Sequence, residues 1–461
     1  MPRPRKTYDF DAIVIGSGAG GGVAAHIWAN ENRRVAIVED NSIGGECPNY
    51  GCVPTKALLK VAEIYREAKK GAPYGVRGTN LTFNYPTVRK WKDLAVSRTG
   101  TKEGNKAFEA EGITVLRGHA HFVNSSEISV SGRRYTARKF LIATGSQDFI
   151  PQIEGLMETG FITYRGAIDL KSPPKSLFII GGGLIGVEFS VIFATFGTKV
   201  QIAETKPHLI PGEDPEVGYL MGSLLERDYK MKVHTNTRVS RIEKAGTKKV
   251  VHFLRDGQPH MVKVDEIMVA AGRRPNTDLG LENAKIKFDA GGIKTNLSMQ
   301  TSAKHIFAAG DVVGPFTFTH MAAYQSRVAA HNAFRTKSNW VRANYQAVPR
   351  VIYTAPEIAA VGMTEKEAKK APGAYKFGEA PIYVIGRSNV ADKSDGFVKV
   401  IADKKSGRIL GASIVSPHAG EMIHELALAV RHGLTAAHIE STIHAFPTWS
   451  EAVRVACAKI A

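Results

Sequence analysis

Cysteine is nearly missing from this chain: three residues, Cys47, Cys52 and Cys457, in 461. Three thiols cannot build a disulfide framework, and without clustered histidines beside them they cannot close a structural zinc site. No metal site is expected. Long apolar runs are missing too. The first, Phe10 to Ile15, ends in glycines, is far too short to span a bilayer, and follows no secretory signal. The expectation is a soluble cytoplasmic protein with no membrane partner. Acidic residues are in deficit, 43 against 61 Lys and Arg, for a net charge of +18. A surplus of that size suits either a nucleic-acid binder or an enzyme that handles anions. Apart from the basic start at Arg3, Arg5 and Lys6, the charges are dispersed, which favours the enzyme over a nucleic-acid partner. Beyond one doubled motif there is no periodic repeat, and no low-complexity linker.

Glycine, by contrast, is abundant at 45 residues, and a 43% apolar fraction excludes disorder. The length calls for roughly three or four globular units. Two apolar runs end in glycine turns. Phe10 to Ile15 leads into Gly16-Ser17-Gly18-Ala19-Gly20-Gly21 and a helix-prone stretch from Val23. Leu177 to Ile180 leads into Gly181-Gly182-Gly183-Leu184-Ile185-Gly186 and Val187 onward. Strand, Gly-x-Gly-x-x-Gly and helix together form the dinucleotide fingerprint. The first glycine makes the turn, the second admits a pyrophosphate, and the third lets helix pack on strand. The helix N-terminus supplies amide donors and positive potential. Each motif is followed by a strand ending in Glu, Val35 to Glu39 and Val200 to Glu204. The first glycine and the Glu are 23 residues apart in both, 16 to 39 and 181 to 204. A carboxylate there can accept hydrogen bonds from a ribose diol. Two dinucleotide sites follow.

Two more strand-to-glycine junctions, Phe140 to Gly145 through Thr144, and Ile267 to Gly272, bracket the second nucleotide fold and read as crossings between domains. Then His305 to Asp311, passing Gly310, delivers an Asp to a turn. From about Ala347 the texture changes. Short strand-like runs (Val351 to Tyr353, Phe397 to Ile401, Ile409 to Ser413) precede an amphipathic helix around Glu421 to His432, an α+β pattern.

Directly after the first strand pair comes Gly44-Gly45-Glu46-Cys47-Pro48-Asn49-Tyr50-Gly51-Cys52-Val53-Pro54-Thr55-Lys56. Pro54 suits the first turn of a helix, which sets Cys52 at a helix N-terminus and makes it the more acidic thiol. Lys56 follows four residues on, on the same helical face. A close thiol pair beside a dinucleotide loop favours redox exchange over an inert disulfide or a metal site.

These motifs, with Ala-Gly-Arg-Arg-Pro-Asn at 271–276, Ala-Gly-Asp at 309–311 and Thr354 to Gly362, resemble the larger FAD-dependent pyridine nucleotide–disulfide oxidoreductases over nearly the whole chain, in their order. Within that family the dihydrolipoamide dehydrogenase branch is nearest. The resemblance implies an α/β fold with two dinucleotide-binding, Rossmann-like domains and an α+β C-terminal dimerisation domain. The FAD domain is discontinuous: 1–150 and 272–346 belong to it, 151–271 bind NAD(P), and 347–461 form the interface of a homodimer. It places FAD on Gly16, Gly18, Gly21, Glu39, Thr144, Gly145, Gly310 and Asp311. It places NAD on Gly181, Gly183, Gly186, Glu204 and Gly272. Cys52 would face the flavin, Cys47 would meet the substrate, and Lys56 would pair with Glu188.

One departure stands out. Most such enzymes end in His-Pro-Thr with a Glu five residues after the His, which acts as acid–base for the outer thiol across the dimer. Here Phe446-Pro447-Thr448 and Glu451 are present, with Phe446 at the position of the base. Positioned acid–base groups contribute about 10²–10⁴-fold, so ordinary dithiol exchange should be slow. His444 shares a face with Phe446 if the segment is extended, and diverges from it if the chain turns at Pro447. The leading expectation is a flavoenzyme passing hydride from NAD(P)H to FAD, then to the Cys47–Cys52 pair. The acceptor is a small molecule or a thiol or disulfide, a lipoylated protein among the candidates. The alternatives are a reductase of metal ions, quinones or other non-disulfide acceptors, and a flavin-binding regulatory protein impaired in catalysis. Glu204 would repel a 2′-phosphate, which favours NAD over NADP even with Lys206 and His208 nearby.

Overall fold

The computed structural model describes residues 7–78, 80–371 and 373–461. The basic start at Arg3, Arg5 and Lys6 lies outside the described residues. The chain forms two compact units, Met1–Pro54, Lys90–Phe149 and Gly272–Asn344 in one, and Thr55–Arg89, Ile150–Ala271 and Tyr345–Ala461 in the other.

The first unit is built on a seven-stranded sheet. Strand Phe10–Ile15 lies at its centre, parallel to Val35–Glu39 on one side and to Arg133–Ile142 on the other. Thr114–Arg117 extends one edge in parallel, and Ile306–Ala308 adds to Arg133–Ile142. These central strands are nearly continuous apolar runs because both faces are covered, as parallel sheets require. Ile13, Ile37, Phe140 and Phe307 are fully buried. The helix Ala19–Asn30 begins inside the glycine loop, four residues before the Val23 expected from helix propensity. Packing outweighs the cost of Gly20 to Gly22 in a helix. Its neighbour, the helix Thr319–Ala333, is fixed to it by the Trp28 indole N–H, which donates to the Ala330 carbonyl at 3.1 Å, and by Ser326 Oγ, which donates to the Gly20 carbonyl.

The second unit holds a four-stranded parallel sheet, Lys232–His234, Lys199–Ala203, Ser176–Ile180 and Glu266–Val269 in spatial order. The helix Leu184–Thr195 again starts within the glycine loop, before the expected Val187. Residues 55–89 fold here because Phe83 and Tyr85 pack edge-on against Phe196, with ring centroids 5.0 and 5.6 Å apart. The C-terminal part is a five-stranded antiparallel sheet covered by the helices Ala419–His432 and Glu451–Ala458. Buried Lys399 on this sheet sits 3.1 Å from Asp214 and 2.6 Å from Glu365, and also pairs with Glu216. Arg350 binds both oxygens of Glu213, at 2.7 and 2.9 Å. A buried cation without those carboxylates would be costly, so the network fixes the helix Pro215–Tyr229 to the sheet.

Candidate functional site

The two glycine loops repeat in three dimensions what they repeat in sequence. Each follows a strand with a parallel neighbour on both sides, at the point where strand order reverses, the position where open α/β sheets bind ligands. Gly16 and Gly181 take positive φ values of 100° and 112°, and a Cβ on either would stand 2.4 and 2.3 Å from a carbonyl of the neighbouring strand end. A Cβ on Gly21 or Gly186 would strike the first glycine's carbonyl at 1.7 or 2.0 Å. The middle glycines differ. Gly18 and Gly183 have ordinary φ values of −65° and −77°. A Cβ on Gly18 would have Gly45 Cα at 3.8 Å as its nearest contact, and one on Gly183 would meet nothing within 4 Å. The chain's own packing demands no glycine there; each loop keeps an open outer side.

Glu39 and Glu204 are both buried, and each clamps its own loop. Glu39 Oε2 accepts the Ser17 amide at 2.9 Å and the Ser17 hydroxyl at 2.6 Å, while Oε1 accepts the Asn41 amide at 2.9 Å. Glu204 Oε2 accepts the Gly182 amide at 2.9 Å, and Oε1 accepts the Lys206 amide at 2.9 Å and the Thr205 hydroxyl at 3.1 Å. The equal sequence offset is thus also a structural requirement, since the carboxylate holds the second residue of the glycine turn. His208 is turned away, its Nδ1–H donating to the Leu209 carbonyl at 2.9 Å.

In the first unit the two crossing segments are stitched together. Thr144 Oγ1 donates to the Asn276 carbonyl and Asn276 Nδ2 donates to the Thr144 carbonyl, both at 2.8 Å; the Asn276 amide donates to the Gly145 carbonyl at 3.0 Å. Arg273–Pro275 pairs antiparallel with Ser146–Asp148, and Gly272 accepts the Phe149 amide at 2.9 Å. Ser146 Oγ donates to Asp311 Oδ2 at 2.6 Å and receives the Arg273 Nε–H at 2.7 Å. Burial raises the Asp311 pKa, with Ser146 and Arg273 opposing the rise and Glu46 adding to it. Gly310 donates its amide to Gln325 Oε1 at 2.7 Å. Sequence reasoning missed Ser146 and Gln325, and singled out Arg273 and Asn276 only as part of the 271–276 motif.

Cys47 lies in the short helix Glu46–Asn49, and Cys52 opens the helix Cys52–Lys69, with Pro54 in its first turn. Both are thiols. The neighbouring Cys52 thiol, with burial, pushes the Cys47 pKa well above the ordinary thiol range. Thr319, unsuspected from sequence, stands beside them: its hydroxyl is 3.3 Å from Cys52 Sγ, and it opposes the rise of the Cys47 pKa. In the second unit Lys56 Nζ donates to both oxygens of Glu188, at 3.0 and 2.7 Å. The Tyr353 amide donates to Glu188 Oε1 at 2.9 Å, and Lys56 Nζ sits 4.7 Å from the centre of the Tyr353 ring. Tyr353 also was missed.

At the C-terminal turn the two candidates diverge. Phe446 is 77% exposed. The His444 side chain is 6% exposed, with Nδ1 2.9 Å from the Thr442 carbonyl and Nε2 3.0 Å from Glu425 Oε1. His444 is a packed histidine. Glu451 accepts the Thr448 amide at 3.2 Å. Among the described residues, no three His, Cys, Asp or Glu side chains gather as a metal site, and no helix is long and apolar enough to cross a membrane.

Residues 10–334 match the family described as pyridine nucleotide-disulphide oxidoreductase, and residues 348–457 match its dimerisation domain. A dihydrolipoyl dehydrogenase of Thermus scotoductus is 37% identical over 97% of this chain and 96% of its own length. One from Bacillus subtilis is 34% identical over 96% and 94%, and a mercuric reductase of Staphylococcus aureus is 33% identical over 97% and 82%. Among solved structures, the HOCl-induced flavoprotein disulfide reductase RclA from Escherichia coli superimposes with a TM-score of 0.86 at 29% identity, covering 98% of this chain and all of that one. Its Cu(II) complex gives 0.85 at 28%. Taken with the paired nucleotide loops and the adjacent thiols, these likenesses have one meaning: the chain belongs to the pyridine nucleotide–disulphide oxidoreductases, enzymes that use FAD and a pyridine nucleotide.

Proposed function

We propose that this protein is an NADH-linked flavoprotein whose Cys47–Cys52 pair carries reducing equivalents to an external acceptor. The observation that carries the reading is the thiol pair itself: two neighbouring free cysteines, one of them heading a helix, in a chain with two glycine-loop sites. FAD, when bound, supplies the two-electron relay between a nicotinamide and a thiol pair.

The loops fit such ligands. The open outer sides at Gly18 and Gly183 leave room for a pyrophosphate, beside the amides of helices starting at Ala19 and Leu184. Gly16, Gly18, Gly21 and Glu39, with Thr144, Gly145, Gly310 and Asp311, would hold FAD. Gly181, Gly183, Gly186 and Glu204 would hold NAD. Each Glu carboxylate retains lone pairs for a ribose diol after its loop contacts. Of the two basic residues just beyond Glu204, Lys206 is exposed and His208 is tied by Nδ1 to Leu209, so NAD is favoured. Lys56 would hold a buried negative charge at Glu188 and order the nicotinamide end of that site. Cys52, at the helix head, gains thiolate character from the dipole, while Cys47 keeps its proton until an acceptor arrives.

The family's dimerisation domain and the exposed Tyr383, Leu428, Ile443 and Phe446 of 347–461 support a homodimer. A soluble, cytoplasmic setting suits working thiols. Rapid loss of oxidised-flavin absorbance on anaerobic mixing with NADH tests the proposal; a flavin that stays oxidised would leave a binding protein instead.

A second reading concerns the acceptor. Phe446 offers no proton acceptor, and His444 is tied to Glu425 and Thr442. That favours acceptors needing no imidazole, such as soft metal ions, quinones or reactive oxidants, over a dihydrolipoamide-type substrate. Comparing NADH oxidation with each class separates the readings.

A further inference from the structure

We propose that Thr319 is a catalytic residue of the thiol pair, its hydroxyl donating a hydrogen bond to whichever of Cys47 and Cys52 carries the thiolate. The inference rests on the reading of that pair as the working centre. Thr319 is the first residue of the helix Thr319–Ala333, and no side chain caps that helix. Its hydroxyl lies 3.3 Å from Cys52 Sγ, and its influence extends to Cys47, whose pKa it draws down against burial. A hydroxyl carries one proton on a freely turning C–O bond, so it can serve either sulfur without moving a heavy atom.

The need for such a donor follows from chemistry. In exchange with an acceptor disulfide R–S–S–R′, Cys47 thiolate forms a bond to one sulfur and R′S⁻ leaves. Cys52 thiolate then attacks Cys47 sulfur, closing the Cys47–Cys52 disulfide and releasing RS⁻. Two thiols are oxidised and one disulfide is reduced; the proton left on the pair goes to one released thiolate, and the other takes from solvent the proton that Cys52 gave up on ionising. Cys47 must ionise first. Once Cys52 has ionised, the Cys47 proton can pass to that neighbouring thiolate, and the negative charge left on Cys47 then needs a donor. Phe446 cannot be one. Hydrogen bonds to an ionised acceptor are roughly twice as strong as neutral ones, which lets the Thr319 hydroxyl favour the thiolate. Glu46 precedes Cys47 and bears on Asp311, while Lys56, four residues past Cys52, is bound to Glu188.

The test is alkylation of Cys47 by iodoacetamide in the reduced holoenzyme under nitrogen, followed by peptide mass across pH. Thr319→Val should move the pH–rate curve upward by about one unit, slowing alkylation about tenfold at pH 7. Thr319→Ser should stay within about twofold of the unmodified protein. If Thr319→Val fails to retain flavin, Thr319→Ala, which only removes atoms, carries the same expectation. A curve unchanged in the variant lacking the hydroxyl would overturn the assignment, and so would a Ser variant as slow as Val or Ala. NADH-dependent flavin reduction, followed in parallel, keeps the two claims apart. Its failure in the unmodified protein would sink the proposed function and leave the thiol chemistry of Thr319 standing.

Discussion

Lys56 holds both oxygens of Glu188, a carboxylate whose side chain is only 2% exposed, across 132 residues of sequence. Removing the cation leaves a buried charge with the Tyr353 amide as its remaining donor among these contacts. Lys56→Met should destabilise the protein by roughly 3 kcal/mol in a urea titration, the lower end for breaking a buried pair. Lys56→Met combined with Glu188→Gln should recover most of that stability while NADH-driven flavin reduction stays slow. Recovery of both would reduce the pair to a structural role.

Glu357 provides a stability test by pH. Burial, with Glu421 and Glu63 adding to it, raises its pKa from the ordinary carboxylate value to about 7. A carboxyl raised in the folded state binds its proton more tightly there than in the unfolded chain. Its contribution is therefore full below about pH 4.5 and is lost as pH rises through about 7. Glu357→Gln keeps an acceptor for the Gly420 amide, which donates to Oε2 at 2.9 Å. The variant should match the unmodified protein near pH 4.5 and exceed it by on the order of 2 kcal/mol at pH 8. A pH-independent difference would exclude this linkage.

Glu204, proposed to set nicotinamide choice, also holds the Gly182 amide. Glu204→Ala should narrow the preference for NADH over NADPH in stopped-flow flavin reduction. It should also cost about 1–3 kcal/mol by freeing hydrogen bonds made to a charged acceptor. Faster reduction of the unmodified protein by NADPH would show that Lys206 outweighs the carboxylate.

Phe446→His restores an imidazole before Pro447, with Glu451 five residues on to orient it. Turnover with dihydrolipoamide should rise by about 10²-fold or more, the usual worth of a positioned acid–base group, with flavin reduction by NADH unchanged. No gain would mean that the pocket, rather than the missing base, sets the chemistry.

Much of this was readable in the sequence because it is local. The strands Phe10–Ile15 and Val35–Glu39, the glycine turns and the shared Glu offset are each set within a few dozen residues. The helix starts at Ala19 and Leu184 were placed too late, since glycine's poor helix propensity hides helices that packing secures. Contacts that depend on distant segments left no sequence signal of their own. Thr319 meets Cys52 over 267 residues, and Ser146 meets Asp311 over 165. The orientation of His444 depended on the course of the backbone at 442–447, which alternation of side chains alone could not decide.

The central claim is that electrons reach the Cys47–Cys52 pair, and anaerobic titration with NADH tests it most directly. The unmodified flavoprotein, isolated with the pair oxidised, should take up about two equivalents of NADH per flavin, one of them to reduce the disulfide. Cys52→Ser, unable to form that disulfide, should take up about one. Equal uptake by both proteins would contradict the account.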